Sequence, residues 1–332
     1  MNPVELLKEH IDKKTNIPML INPTSVATLD SCKLIGVNFK DVHNNSDKMT
    51  ALAAVGHDEL GFQSVMPYFS VIQEAAAFGA NVNWGSVDEM PFHRKGIYKD
   101  PSEFKMPANL LSKTPMKTVI ESIKMLKKRY GDSIIVIGKV MGPWTLSYHL
   151  RGVEDFLVET ITEPEKATEF LNHFKQITKM FASAQFEAGA DMITIADHVT
   201  GDLVGPETYK ELLMPIHMEI NKEFSGRNFI LHCCGNTLDR IKYFADAGFK
   251  IFHFDSKNDI TEAIAAAGEM LLTGCVNNAD VLLNGTLNDV EDHVGDILAK
   301  GIHLVSPECA VPLKVKNTNL KHIAAKVFET GV

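Results

Sequence analysis

Two short segments of this 332-residue sequence carry side chains of metal-binding type: Phe229-Ile-Leu-His-Cys-Cys-Gly235 and Val305-Ser-Pro-Glu-Cys309. In an extended strand the side chains at i and i+2 share a face. His232 and Cys234 therefore point one way and Cys233 the other. Gly235 permits a tight turn that lets the preceding cysteine approach an ion. Two thiolates and one imidazole form a catalytic zinc set, with a fourth position left for water or substrate. The expected ligands are His232, Cys234 and Cys309. The plainer reading makes both cysteines buried apolar residues and His232 a satisfied core histidine. It offers no reason for Cys309 to stand at a matching strand end. Cys32 and Cys275 lack ligand neighbours and read as core residues.

Bringing the two segments together requires a particular set of elements. Short β-rich apolar runs recur at 18–21, 62–66, 134–138, 192–196, 229–232, 251–254, 270–274 and 303–306. Amphipathic stretches lie between them, among them 117–130, 164–188, 205–224, 237–247 and 289–300. Strands alternating with helices predict an α/β fold, a single (β/α)8 TIM barrel over 1–332. A helical segment is expected at 1–15, and a long proline-bearing insertion near the barrel mouth at about 83–116. The rival, an open doubly wound sheet, would want a glycine-rich phosphate loop after an early strand, and the sequence has none.

In a barrel, residues just past the strand ends gather on the C-terminal face. Here those positions include Tyr68, Met141, Asp197, His198, His232, Cys234, Asp255, Glu308 and Cys309. Asp197 and His198 are candidates for proton handling or substrate orientation, or else form a structural hydrogen-bonding pair. Tyr68, Phe69, Trp84, Trp144 and Tyr148 are candidates for a cradle around a substrate ring; packing is their plainer role. Glu308 either supports Cys309 from behind or is solvated. His93 and His149 read as surface residues.

Bulk properties narrow the partners. Hydrophobic residues make up 45% of the chain and the net charge is -9. With Lys and Arg scattered, and Lys127-Lys128-Arg129 their densest run, nucleic acid and anionic membrane are not expected partners. No apolar run approaches the roughly 20 residues that span a bilayer, and residues 1–14 have no apolar signal core. A cytoplasmic protein is expected. Five cysteines, an odd number, do not suggest a disulfide framework.

Several blocks resemble one family. Leu231-His-Cys-Cys-Gly-Asn-Thr237 is similar to the zinc motif of the uroporphyrinogen-decarboxylase-like methyltransferases. Gly79-Ala-Asn-Val-Asn-Trp-Gly85, Gly142-Pro-Trp-Thr145, Glu187-Ala-Gly-Ala-Asp191, Gly205-Pro-Glu-Thr208 and Ser306-Pro-Glu-Cys309 resemble further blocks of that group. It includes methylcobamide:coenzyme M methyltransferases and corrinoid-dependent O-demethylases. The resemblance implies a zinc enzyme that exchanges methyl groups with a corrinoid (cobalamin-type) cofactor, and its zinc ligands fall on His232, Cys234 and Cys309.

Two departures matter. The family's decarboxylases carry arginines near the N-terminus for porphyrinogen carboxylates, whereas the comparable stretch Met19-Leu-Ile-Asn-Pro-Thr24 has none. A glutamate that precedes the Gly-Pro block in coenzyme M enzymes is replaced here by Met141. The Asp-x-His-x-x-Gly corrinoid signature is missing, so the corrinoid is expected on a separate protein. The missing glutamate and the aromatic candidates, with Met141 beside them, favour a small methoxylated aromatic donor over the alternative, a coenzyme M-type thiol acceptor. Rival classes are a zinc hydrolase and a non-catalytic binding protein.

Overall fold

The computed structural model describes residues 1–329; the last three residues of the expected 1–332 domain lie outside the described residues. Eight strands appear: β1 (Met19–Leu20), β2 (Ser64–Val65), β3 (Ile135–Met141), β4 (Met192–Ala196), β5 (Phe229–His232), β6 (Ile251–Phe254), β7 (Leu271–Val276) and β8 (Leu304–Pro307). Their order is β1-β8-β7-β6-β5-β4-β3-β2, and every ladder is parallel. All seven residues of β3 are buried, as expected of a strand covered on both faces.

The ring closes between β1 and β2 with few bonds. Gln63 N donates to Leu20 O at 2.8 Å, and Leu20 N donates to the Gln63 side-chain oxygen at 3.0 Å. Asn22 N donates to Ser64 Oγ at 2.8 Å. This is the (β/α)8 barrel expected from the alternating pattern. All eight apolar runs coincide with strands, but β3 continues past 138 to Met141, carrying Lys139 into the wall.

Helices pack outside the ring. Pro164–Glu187, opened by proline, buries Phe170, Phe174 and Phe181 on its inner face. The helix expected over 205–224 runs from Pro206 to Glu223 with a π turn inside it. A five-residue π turn, Tyr209–Leu213, precedes Met214–Glu223. Pro215, just after that turn, has no N–H to donate, which accounts for the local widening. At the N-terminus, Asn2 and Glu5 form a capping box for Pro3–Ile11. Within 83–116 the chain makes an antiparallel bridge, Asn83 to Phe92, and two 3-10 turns.

Candidate active site at the barrel mouth

The alternation read in the sequence places two of the three expected ligands on one face of the β5 end. Cys234 Sγ lies 3.1 Å from His232 Nε2 and 2.7 Å from Cys309 Sγ. Cys309 Sγ lies 3.6 Å from the same nitrogen. All three donor atoms fall within 4.8 Å of one another, close enough to share a metal ion. Cys233 is buried on the opposite side. The donor set is soft, partly exposed and of the composition that takes zinc, so it fits the ion that the sequence implies. The two sulfurs share a proton unevenly. Hydrogen bonding from Cys234 and then His232 holds Cys309 well below the usual thiol range, while the same contact and burial push Cys234 up.

The neighbouring loops fix these ligands. Gly235, at φ 83°, has no room for a Cβ, which would sit 2.5 Å from Thr200 Oγ1. Its N–H donates to Asp255 Oδ2 at 2.8 Å. The His232 ring lies 4.5 Å from that of His253, whose Nε2 is 2.7 Å from Pro307 O. His232 Nδ1 has no hydrogen-bond partner among the described residues. Glu308 is not solvated: its carboxylate accepts from Ser256 N at 3.0 Å and Asn278 N at 2.7 Å. It therefore ties together the loops after β6, β7 and β8, just before Cys309.

Above the sulfurs lies a cavity of about 280 Å³, lined in part by Met141, Tyr148, Asp197 and His198. Its walls are mainly apolar, from residues such as Val71, Val153 and Ala310. Asp197 does not pair with His198. Its Oδ1 accepts from Thr145 N at 2.7 Å, and its Oδ2 lies 3.0 Å from Nε2 of His217, which contacts Tyr209. With both oxygens held, Asp197 orients the block after Gly142 rather than moving a proton. Gly142 itself is required, because a Cβ there would collide with the Asp197 carboxylate. The His198 ring faces the cavity, and burial and then His232 lower its pKa.

The expected aromatic cradle does not form. Trp144 is fully buried, donating Nε1–H to Tyr148 Oη at 2.7 Å. Trp84 stacks on His43 at 5.6 Å and does not line the cavity. Tyr68 is also fully buried and donates to Glu74. Large aromatic rings gain more from complete burial than a small mouth can offer them. Of the six substrate-side candidates, Met141 and Tyr148 reach the cavity, and Phe69 is buried away from it. His93 and His149 are also not free at the surface: Nε2 of the first lies 2.9 Å from Nδ1 of the second.

Sequence reasoning missed the polar group beneath the sulfurs. Lys139, only 3% exposed, donates to Ser70 O at 3.2 Å and sits 4.9 Å above the Tyr68 ring. Burial pushes it below the usual lysine range; the charges of Cys309, Glu74 and Cys234 pull it back up. Glu74 accepts from Tyr68 and from Met141 N at 2.9 Å, and burial raises its pKa. A lysine inside an apolar strand was the available signal, since such lysines are almost always paired.

A thiolate–imidazole cluster at the C-terminal mouth of a parallel eight-stranded barrel defines a barrel enzyme with the makings of a metal centre. Comparison narrows this to a family: the profile of the uroporphyrinogen decarboxylase (URO-D) family matches residues 9–329, and the chain belongs to it. The methylcobamide:CoM methyltransferase MtbA of Methanosarcina acetivorans is 27% identical over 302 residues, 90% of this chain and 89% of that protein. The methylated-thiol–coenzyme M methyltransferase of Methanosarcina mazei is 26% identical over 312 residues, covering 94% and 84%. A Synechococcus uroporphyrinogen decarboxylase matches only 56% of this chain and 54% of its own, at 27% identity. By length matched, the chain stands with the methyltransferases of the family. A solved methyltransferase from Methanosarcina mazei shares the fold at TM-score 0.95, with 24% identity and 100% coverage of both chains.

Proposed function

We propose that this protein is a zinc-dependent methyltransferase that passes a methyl group from a corrinoid carried by a separate protein to a thiol. The observation that carries the reading is the convergence of His232 Nε2, Cys234 Sγ and Cys309 Sγ on the floor of a cavity. Zinc held there would act as a Lewis acid that keeps the incoming thiol deprotonated and aimed. The chain's own residues supply the rest. Cys234 and Cys309 bring negative charge, the Lys139 ammonium offsets part of it from below, and Asp255 and Glu308 hold the two cysteine loops. The apolar walls keep water from the reacting sulfur. With a methylated corrinoid as donor, the sulfur lone pair would form the S–C bond, the donor would keep the electron pair of the broken Co–C bond, and the thiol proton would go to solvent.

The relatives named for methylcobamide and thiol substrates support this direction. The methoxylated aromatic donor favoured by the sequence loses one of its two supports, because Tyr68, Trp84 and Trp144 do not line the cavity; the other, Met141 in place of a glutamate, still stands. The test runs both directions with purified protein and a reduced or methylated corrinoid protein. Thiols should demethylate the methyl-Co(III) form. A methyl-Co(III) spectrum formed from Co(I) and a methoxyarene, with no reaction of thiols, would reverse the assignment.

A further inference from the structure

The cavity over the sulfurs and the groove beside it differ in charge. The groove, about 580 Å³, is lined by Arg94, Lys95 and Lys99 among others. Tyr148, His149 and Val153 line both spaces and form the partition between them. On the cavity side Lys139 is the one cation among the described lining residues. It is sealed beneath the site, committed to Ser70 O, the Tyr68 ring and the field of Glu74. Both Asp197 oxygens are occupied. Burial holds His149 down to about 3, so it is neutral near physiological pH. Tyr148 accepts from Trp144 and keeps its own proton to donate. The remaining wall is apolar, including Val71, Met141, Ala196 and Ala310.

We infer that this cavity selects a neutral reactant: the acceptor is a small uncharged thiol, and thiols bearing a carboxylate or sulfonate are disfavoured. The inference rests on the thiol reading above. With the metal position filled by the thiol sulfur, a carboxylate or sulfonate entering the cavity would lose its hydration without meeting a second, free cation on the walls. A hydroxyl is tolerated, because Tyr148 can donate to it. The volume, just under the range that takes drug-sized ligands, suits a small acceptor.

The test uses zinc-loaded protein with methylcobalamin as methyl donor. Ethanethiol and 2-mercaptoethanol are compared with 3-mercaptopropionate and 2-mercaptoethanesulfonate at equal thiolate concentration. The neutral pair should show kcat/KM at least about tenfold higher, the scale expected for burying an unpaired charge. Calorimetric titration of the same protein should rank the four Kd values in the same order. Anionic thiols that bind and react as well as the neutral ones would overturn the inference, and would implicate Arg94 or Lys95 across the partition. Val153→Arg, checked for an unchanged Tm, should raise the anionic-to-neutral ratio by about tenfold; an unchanged ratio counts against the charge argument. If no thiol reacts while methoxyarenes methylate Co(I), the thiol reading falls. The charge rule is then decided separately by binding of anisole against 4-methoxybenzoate, and tighter binding of the benzoate would refute it.

Discussion

The two sides of the barrel mouth are built on opposite principles. On the β5–β8 side, His232, Cys234 and Cys309 converge with their donor atoms partly open to a cavity. On the β2–β3 side, Tyr68, Glu74 and Lys139 also converge, but the group is sealed from solvent and each member is engaged within the protein. Soft ligands must exchange a reactant, so they need an approach path. A buried polar group of this kind makes no exchange; it stays under the sulfurs, and its cost is met by hydrogen bonds, the Tyr68 ring and the nearby charges of Cys309, Glu74 and Cys234. Function sits where partners are left free, and stability sits where they are used up.

The largest effect expected from breaking this contrast is on the open side. Cys234→Ala or Cys309→Ala should abolish stoichiometric metal binding and methyl transfer, as read by elemental analysis and corrinoid spectra. Full retention of metal in both would remove the ligand assignment. Next comes the sealed side, where Glu74→Gln removes one of the three negative groups that act on Lys139 and disturbs the contacts with Tyr68 and Met141 N. A loss of about 3 kcal/mol in unfolding free energy is expected, with the double variant Glu74→Gln/Lys139→Met recovering part of it. A double variant no better than the single one would show that the two groups do not act as a pair. Smaller again is Asp197→Asn, which should cost about 1–3 kcal/mol by weakening its contacts with Thr145 and His217. Metal content should stay unchanged, which separates a positioning role from a ligand role.

The smallest effect concerns pH. The His149 pKa is lowered from 6.5 to about 3 by burial, and that of His43 from 6.5 to about 4. Below pH 6.5 the unfolded chain takes up protons that the folded chain refuses, so the contribution is whole above 6.5 and lost as pH falls toward those lower values. His149→Phe should flatten the pH dependence of the urea midpoint over that window. A variant as acid-sensitive as the parent would show that the His93–His149 contact does not bias protonation.

The open side was largely legible in the sequence. Period-two alternation set His232 and Cys234 on one face, and the count of apolar runs set Cys309 beside them. The sealed side was not. Ending the third strand at 138 left Lys139 outside the wall, where a lysine raises no question, although it lies within β3. Glu74 sits on the short helix Gln73–Ala77, and nothing local marks it as buried. Asp197 was visible at a strand end, but its partner His217 arrives on a helix beyond the π turn, at a distance that local periodicity does not encode. The aromatic residues misled because a side chain near a loop in sequence is free to turn inward, and Trp144 and Tyr68 do.

The sparse join between β1 and β2 gives the ring a weak link. Seven of the eight strand boundaries carry continuous ladders, while this one depends on Gln63, Ser64 and Asn22. In deuterium, the amides of residues 20 and 22, which donate to side-chain oxygens, should exchange sooner than those of the β3–β4 ladder. Heat or denaturant should then part the barrel first at this join, like a hoop opening where its ends meet, leaving the cysteine-bearing arc among the last elements to come apart.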